Sequence, residues 1–475
     1  MSDRAETGMR LFGRAPRAPW SFGHLSLPTR EKMVIAAALA AFAGIGGTSL
    51  LYAVDAGWMV FVPLGLLAAL VGAGVMAAAF AGSRAAILTY FVVIAFVTDA
   101  QFRARGAGEI DADWQSLLKF GLWIGAGLIG VAHLPPVGRM LSHPGSLLWL
   151  LYILISMVSA IYSPVPTYSL GCALALLCFY AFAHTLVRTL SQTAILWAFV
   201  YTITVFNLAS WVVFYAYPEL GTSLAWTLDG VFYRMCGLAG QATNLGGMCA
   251  KYLGALFLLW WAGRCRLVTA SIFGALGVVT LMASDSRTMI ISVVLGVGGV
   301  MLSRSMWAMA TGALTAVVAF GVSQAFPQWL GSLGTKFSRS GDASEISTGN
   351  GRMEIWEFVW SKITEAPVLG WGYNSSKVIL SQYTGFENGL MVDSAHNMFL
   401  QSLLSVGFLG TLPLVLLLGW LAAKCLSRPS PMLAYVFILV AVSSMADTAA
   451  LGTTPTVLTL LFMLVSIPPI SEQHE

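Results

Sequence analysis

Residues 393–410, DSAHNMFLQSLLSVGFLG, join a short polar segment to an apolar run that continues to about residue 423. A helix of about 20 apolar residues is long enough to cross the hydrocarbon core of a bilayer. The stretch therefore predicts a membrane-spanning helix at 397–423. Asp393 and His396 would lie at one end of this helix, which makes the histidine a candidate for chemistry at the membrane surface.

The composition is that of an integral membrane protein. Hydrophobic residues make up 57% of the 475 residues and charged residues only 10%, whereas an ordinary globular chain has about 25% charged residues. Only helices and closed barrels satisfy the backbone in lipid, and these apolar blocks lack the alternation of barrel strands. The predicted fold class is therefore all-α, a polytopic membrane helix bundle. The small net charge of +4 argues against a nucleic-acid partner and leaves the lipid bilayer as surroundings.

Apolar windows of spanning length predict about 12 to 14 transmembrane helices. We place them at 33–54, 57–80, 84–99, 115–132, 145–161, 168–188, 193–217, 243–263, 266–282, 288–304, 306–325, 397–423, 431–446 and 456–468. The chain then divides into a basic tail at 1–32, spans at 33–325, a large loop at 326–396 and C-terminal spans at 397–475.

Lysine and arginine residues set the orientation of these spans. The tail has arginines but no apolar core of a signal peptide, which indicates a cytoplasmic tail. With the N-terminus inside, the inner loops hold Arg84, Arg139, Arg188, Arg264, Arg266, Arg304, Lys424 and Arg428, as the positive-inside rule requires. The outward segments of real length are then 100–114, 218–242, 283–288 and 326–396.

The loop at 326–396 contains a predicted helix. In GRMEIWEFVWSKITEAPVLGWGYNSS, residues 351–376, the positions of Met353, Trp356, Trp360 and Ile363 indicate one apolar face, and Pro367 ends the pattern. We expect an amphipathic helix on the outer membrane surface or over the mouth of the bundle. The alternative is that the segment is only a linker.

His396 is the histidine that this topology places on the outer side. His24, His133, His143, His184 and His474 fall on or near the inner side. We expect Ser394 to be the N-cap of the following helix, so that the helix dipole keeps His396 neutral and able to accept a proton. The alternative is an interfacial histidine that binds a loop carbonyl.

Three outward arginines predict an anion site on the same side. Arg234, Arg287 and Arg352 lie at outer boundaries, and Arg352 sits at the start of the loop helix, where a cation is unfavourable but free N–H groups can bind phosphate. The alternative for each is contact with lipid headgroups. Lys119 and Lys251 are expected to extend toward the outer surface in the same way.

The predicted site needs no metal or other cofactor. The acidic pair Asp111 and Asp113 has a spacing that could hold a divalent ion, but the surrounding loop offers no further ligand. We therefore interpret this pair as part of a solvated loop. An anion at the outer surface is then bound by arginines alone, and a lipid-linked diphosphate fits that position.

The loop and the following span resemble the O-antigen ligase and polysaccharide polymerase superfamily of bacterial inner-membrane proteins. The resemblance is carried in order by Arg352, Trp356, Pro367, Gly370, Gly372, His396, Asn397, Leu400, Gln401, Gly407 and Gly410. It is looser upstream, at Arg234 with Gly237 and Asn244 and at the triplet Ser286, Arg287 and Thr288. Ser405 departs from the pattern, because relatives often carry an acidic residue there.

The resemblance implies a fold like that of lipid-linked (GT-C-type) glycosyltransferases and a metal-independent, inverting transfer from undecaprenyl diphosphate to an acceptor hydroxyl. His396 would be the catalytic base, and Arg234, Arg287 and Arg352 would bind the diphosphate. Trp356, Asn397 and Gln401 would support the site, with Asn397 either orienting a group or capping its helix. The site would face the periplasm.

The leading hypothesis is a polymerase of a surface or secreted polysaccharide. Its substrates would be an undecaprenyl-diphosphate-linked glycan donor and a glycan acceptor, and a flippase and a chain-length regulator are candidate protein partners. The first alternative is an O-antigen ligase that transfers the lipid-linked glycan to lipid A-core. The second is a transporter or flippase, although transporters usually place ionisable groups near the bilayer midplane.

Overall fold

The computed structural model describes residues 72–103, 113–227, 230–302, 352–383, 392–427, 430–445 and 454–468, with positions 110, 447, 448 and 451. The predicted tail at 1–32, the spans at 33–54 and 306–325, and the part of the loop before residue 352 lie outside the described residues. Residues 72–80, within the span predicted at 57–80, are helical.

The helices of the described residues follow the predicted windows closely. They are α1 Arg84–Val97, α2 Trp114–Ala132, α3 Val137–Ser142, α4 Pro144–Val158, α5 Pro166–Thr189, α6 Gln192–Ala216, α7 Pro218–Gly221, α8 Ala242–Trp261, α9 Leu267–Ala283, α10 Arg287–Leu302, α11 Arg352–Glu365, α12 Ser376–Ile379, α13 Met398–Ser427, α14 Pro431–Ser444 and α15 Val457–Ser466. Short 3₁₀ turns occupy Ser159–Ile161, Gly237–Ala239 and Leu380–Gln382.

The predicted all-α, polytopic class is confirmed. Five helices of the described residues are long and apolar enough to cross a membrane: α2, α4 with its 3₁₀ turn, α5, α6 and α13. One feature was not predicted, an antiparallel hairpin of β1 Thr222–Thr227 and β2 Gly230–Met235 inside the segment 218–242. It pairs Ser223 with Arg234 and therefore fixes the position of that arginine along the strand.

Small residues allow the helices to approach one another closely. Helix α2 packs along α5, where Gly127 lies against Cys178 and Gly130 against the backbone of Ala181. A Cβ atom at Gly130 would collide with that backbone. Such contacts are typical of membrane helices, because helices in lipid associate through close packing and not through exclusion of water.

Helix α13 is broken at Gly407, where φ is 63° and the backbone is not helical. The turn Pro367–Gly372 fills the break: Trp371 N donates to Leu404 O at 2.9 Å, and Phe408 N donates to Pro367 O at 2.9 Å. Irregular backbone within a membrane bundle is tolerated where protein groups complete its hydrogen bonds. The turn after α11 is thus hydrogen-bonded to the break in α13, the helix that follows His396.

The apolar face of α11 differs from the predicted one. Ile355, Val359 and Ile363 are buried, whereas Met353 and Trp360 are about half exposed. The buried face packs on a small core that includes Leu404 of α13. The helix therefore lies over the start of α13 and not simply flat on a membrane surface.

Charged and polar side chains collect at two opposite ends of the bundle. At one end the His184 ring lies beside Ser146, Arg188 donates to His133 O, and Lys424 stacks on Trp420. The other end, which we call the His396 end, carries the start of α13, the start of α15 and the segment after α14. The predicted separation of His396 from the three other described histidines agrees with this arrangement.

Candidate functional site

His396 lies just before α13, in a left-handed backbone conformation with φ of 47°. The N-cap is Asn397 and not Ser394 as predicted, because the Asn397 Oδ1 atom accepts from Phe399 N at 2.9 Å and from Leu400 N at 3.1 Å. A left-handed residue other than glycine costs on the order of 1–3 kcal/mol and persists only where its surroundings enforce it. The residues around His396 must therefore enforce this conformation.

Two side chains hold the peptide groups of Ala395, the residue before His396. The Trp356 Nε1 atom donates to Ala395 O at 2.9 Å, and the Gln401 Oε1 atom accepts from Ala395 N at 2.9 Å. Gln401 is itself fixed, because its Nε2 atom donates to the Ser376 hydroxyl at 2.6 Å. We call Trp356 and Gln401 the Ala395 clamp. Sequence reasoning proposed both as supporting residues, and the structure shows what each one contacts.

The half-buried imidazole of His396 lies within electrostatic range of a guanidinium and two carboxylates. Burial lowers the pKa of His396, and the Asp447 carboxylate opposes this lowering. Arg352 lowers the pKa of the histidine further, and Asp393 raises it. Burial likewise raises the pKa of Asp447, and the His396 imidazole lowers it. The two groups therefore titrate as a linked pair, in which each favours the charged form of the other.

Asp447 also borders a cavity of about 120 Å³ at the His396 end. We call it the Lys251 cavity. Its polar wall residues are Thr98, Asp99, Gln101, Lys119, Thr243, Asn244, Lys251, Asp447, Thr454 and Thr456. They come from α2 and α8 and from the segments after α1 and α14, so the cavity joins parts of the chain that are distant in sequence.

A buried ion pair forms part of the cavity wall. Lys251 Nζ lies 3.1 Å from Asp99 Oδ2, and the two side chains are only 6% and 9% exposed. The other Asp99 oxygen accepts from Val457 N at 3.2 Å, at the first residue of α15. Lys251 lies midway along α8, and its buried side chain is paired with Asp99 and does not extend to a lipid headgroup, the possibility that the sequence left open.

The three predicted arginines occupy different elements around this end. Arg352 begins α11 and is the arginine that acts on the imidazole. Arg287 begins α10, two residues before Met289, which lines the cavity. Arg234 lies on β2, and the turn that follows it accepts a hydrogen bond from Gln101 N at Leu238 O. The structure thus brings Arg352 within electrostatic range of His396 and places Arg287 at the start of a helix that lines the cavity, whereas the strand of Arg234 does not line it.

Asp447 was missed by sequence reasoning. It lies in the segment SSMADTAALGTTP, between two apolar spans, where no motif surrounds it. An acidic residue in such a position is itself a signal of function in a membrane protein. Of the acidic pair in the loop before α2, Asp111 lies outside the described residues, whereas Asp113 caps α2 by accepting from Ser116 N at 2.7 Å and pairs with Arg103.

The group His396, Asp447 and Arg352 has the parts needed to move a proton beside an anion. A neutral imidazole can accept a proton, and a nearby carboxylate stabilises the imidazolium that results. A guanidinium can bind an oxyanion in the same place. The Ala395 clamp keeps the imidazole in one position, which such a reaction requires.

Comparison with known proteins relates one segment of the chain to a described family. No curated protein matches the chain. A protein-family model described as O-antigen ligase matches residues 272–415, a segment that includes Arg287, Arg352 and His396. Residues 272–415 of the chain are thus similar to the O-antigen ligase family.

Proposed function

We propose that the protein is a membrane glycosyltransferase that joins undecaprenyl-diphosphate-linked repeat units into a surface or secreted polysaccharide. The observation that carries the proposal is the group of His396, Asp447 and Arg352 at one end of a membrane bundle. Two of these three residues lie in the segment that matches the O-antigen ligase family. In this proposal the protein lies in a bacterial inner membrane with the His396 end facing the periplasm.

The reaction is a single displacement at the anomeric carbon of the donor sugar. The acceptor hydroxyl forms a bond to that carbon while the bond to the diphosphate oxygen breaks, and the electron pair leaves with the diphosphate. The imidazole of His396 takes the hydroxyl proton, and Asp447 stabilises the resulting imidazolium. Attack from the side opposite the leaving group inverts the anomeric configuration.

The arginines act on the leaving group. Arg352, beside the imidazole, binds the diphosphate and stabilises the charge that develops on it. Arg287 can bind the same group from the start of α10, where the positive end of the helix dipole favours an anion. Arg234 is assigned the same role because β2 lies at this end of the bundle. No metal ion takes part in this proposal.

A ligase is the second candidate, and the description of the matched family favours it. The two activities use the same chemistry and differ in the acceptor, which is lipid A-core for a ligase. In either case, a flippase would supply the donor on the periplasmic side. A chain-length regulator would be a partner of the polymerase.

The deciding experiment gives the purified full-length protein lipid-linked repeat units, with and without lipid A-core. A ladder of products on the undecaprenyl carrier supports the polymerase, and a product on lipid A supports the ligase. His396→Ala should reduce either product by about 10²- to 10⁴-fold, the usual contribution of a general base. Folded His396→Ala protein with unchanged product would contradict the assignment of the base.

The matched control is His133→Ala. This histidine lies at the opposite end of the bundle, where its Nε2 atom contacts Ala79 O at 3.1 Å, so transfer should be retained. In cells, His396→Ala should leave lipid-linked repeats on the periplasmic leaflet. Accumulation on the cytoplasmic leaflet would instead support a transporter.

A further inference from the structure

The Lys251 cavity is lined by the chemical groups that bind carbohydrate hydroxyls. Its walls offer carboxylate oxygens, the amides of Gln101 and Asn244, and the hydroxyls of Thr98 and Thr243. A sugar hydroxyl both donates and accepts hydrogen bonds, and amide and hydroxyl side chains can do the same. Met289 and Leu458 add apolar surface against which the C–H face of a sugar ring can pack.

The charges of the cavity wall balance one another. Asp99 is paired with Lys251, and the wall also contains one further carboxylate, Asp447, and one further ammonium group, Lys119. A diphosphate requires an excess of positive charge, which the wall does not provide. A neutral polar ligand matches this wall better, and the diphosphate is left to the arginines.

One buried oxygen atom of the cavity wall accepts no hydrogen bond from the described residues. Among the described residues, the Asp447 Oδ2 atom is buried without a hydrogen-bond partner, whereas Oδ1 accepts from Thr448 N at 2.7 Å. A buried acceptor left unpaired costs about 1–3 kcal/mol. A hydroxyl donor in the cavity would remove this cost, and it would be held by the same carboxylate that acts on His396.

The size of the cavity fits a ligand of one sugar ring. It measures about 120 Å³, and one water molecule needs roughly 10–15 Å³ of such space. The cavity therefore has room for several ordered waters, which the hydroxyls of one sugar ring can replace.

We propose that the Lys251 cavity binds the acceptor sugar, a neutral polyhydroxylated ring, and presents one of its hydroxyls to His396 beside Asp447. This inference rests on the proposed function and deepens it by separating two subsites. The donor diphosphate is bound by the arginines, and the acceptor ring is bound by Thr243, Asn244 and their neighbours.

The first test measures steady-state transfer by the full-length protein in nanodiscs, with donor and acceptor varied separately. Asn244→Ala and Thr243→Val should each raise the KM for the acceptor by about tenfold, as the loss of one or two hydrogen bonds predicts. The KM for the donor should stay unchanged. Thr189→Val is the matched control, because Thr189 donates to Thr185 O at the far end of α5. A raised donor KM with an unchanged acceptor KM would overturn the proposal.

A second test does not depend on transfer. Asn244→Cys protein is labelled with a thiol reagent in the presence of either of two probes. The first is the oligosaccharide released by mild acid from the host's lipid-linked repeats, and the second is undecaprenyl diphosphate. The oligosaccharide should slow labelling at least about fivefold, and undecaprenyl diphosphate should not. Thr189→Cys provides the control. Protection by the lipid alone, or by neither probe, would exclude the sugar subsite. Absence of transfer by the wild-type protein would instead count against the proposed function only.

Discussion

The indole N–H of Trp356 donates to the carbonyl oxygen of Ala395 at 2.9 Å, and this bond ties the second turn of α11 to the residue before His396. The backbone N–H group of Ala395 donates to the Oε1 atom of Gln401. The left-handed backbone of His396 is thus enforced by residues on two different helices. The position of the imidazole should therefore depend on α11 remaining docked.

Trp356→Phe should reduce the rate of transfer without changing the affinity for substrates. The ring that remains still packs, but Ala395 loses one of its two restraints, and loss of one hydrogen bond costs about 1 kcal/mol. We expect kcat to fall about five- to tenfold with KM unchanged, measured with lipid-linked donor. Trp360→Phe is the control, because that side chain is 50% exposed on the same helix. Equal effects of the two variants would argue against the clamp.

The pH dependence of transfer should report the linked pair of His396 and Asp447. The proton acceptor is the neutral imidazole, so the rate should fall as the pH drops through the pKa of His396. Burial lowers that pKa, and the fall should therefore begin below the ordinary value for histidine, about 6.5. The measurement is kcat/KM for the donor between mildly acidic and neutral pH.

Two substitutions should shift this fall in rate at low pH, the acid limb of the pH profile, in opposite directions. Asp447→Asn removes a carboxylate that raises the pKa of His396, so the limb should shift to lower pH. Arg352→Gln removes a cation that lowers the same pKa, so the limb should shift to higher pH. Shifts in the same direction for both variants would show that the limb belongs to another group.

The sequence predicted the spanning helices well because their signal is local and strong. The window predicted at 168–188 is helix Pro166–Thr189, and the one at 193–217 is Gln192–Ala216. The face of α11 was predicted only in part, because Ile363 is buried as expected but Met353 and Trp360 remain half exposed. Hydropathy does not distinguish a side chain that faces lipid or solvent from one that packs on another loop.

The site was predicted only in part, and for physical reasons. His396 and Arg352 were found because their residue types suggest their chemistry. The contacts of Asp447 with His396 and of Asp99 with Lys251 join segments far apart in the chain, and no local pattern predicts which residues meet. The N-cap was misplaced by three residues because both Ser394 and Asn397 suit that position, and only the backbone geometry decides between them.

Gly407 should tolerate no side chain, because the Pro367–Gly372 turn passes against it. Its φ of 63° is left-handed, and a Cβ atom there would collide with the carbonyl oxygen of Val368. We expect Gly407→Ala to displace the turn and to lower the melting temperature of the purified protein by several degrees, as a loss of about 2 kcal/mol or more implies. Gly419→Ala in the same helix meets no atom within 4 Å and should be neutral or slightly stabilising. A stable Gly407→Ala protein would contradict the described break.

Removing one partner of the buried ion pair of Lys251 and Asp99 should destabilise the protein more than removing one partner of an exposed ion pair. Removal of one partner leaves an uncompensated buried charge, so Lys251→Met or Asp99→Asn should destabilise the protein by about 3–5 kcal/mol. The double variant should recover part of this loss, because no charge is then left alone. Lys362→Met breaks the pair with Glu365, whose side chains are 22% and 46% exposed, and should cost less than about 1 kcal/mol. Thermal unfolding in detergent measures all four variants, and additive effects in the double variant would show that the two charges are not coupled.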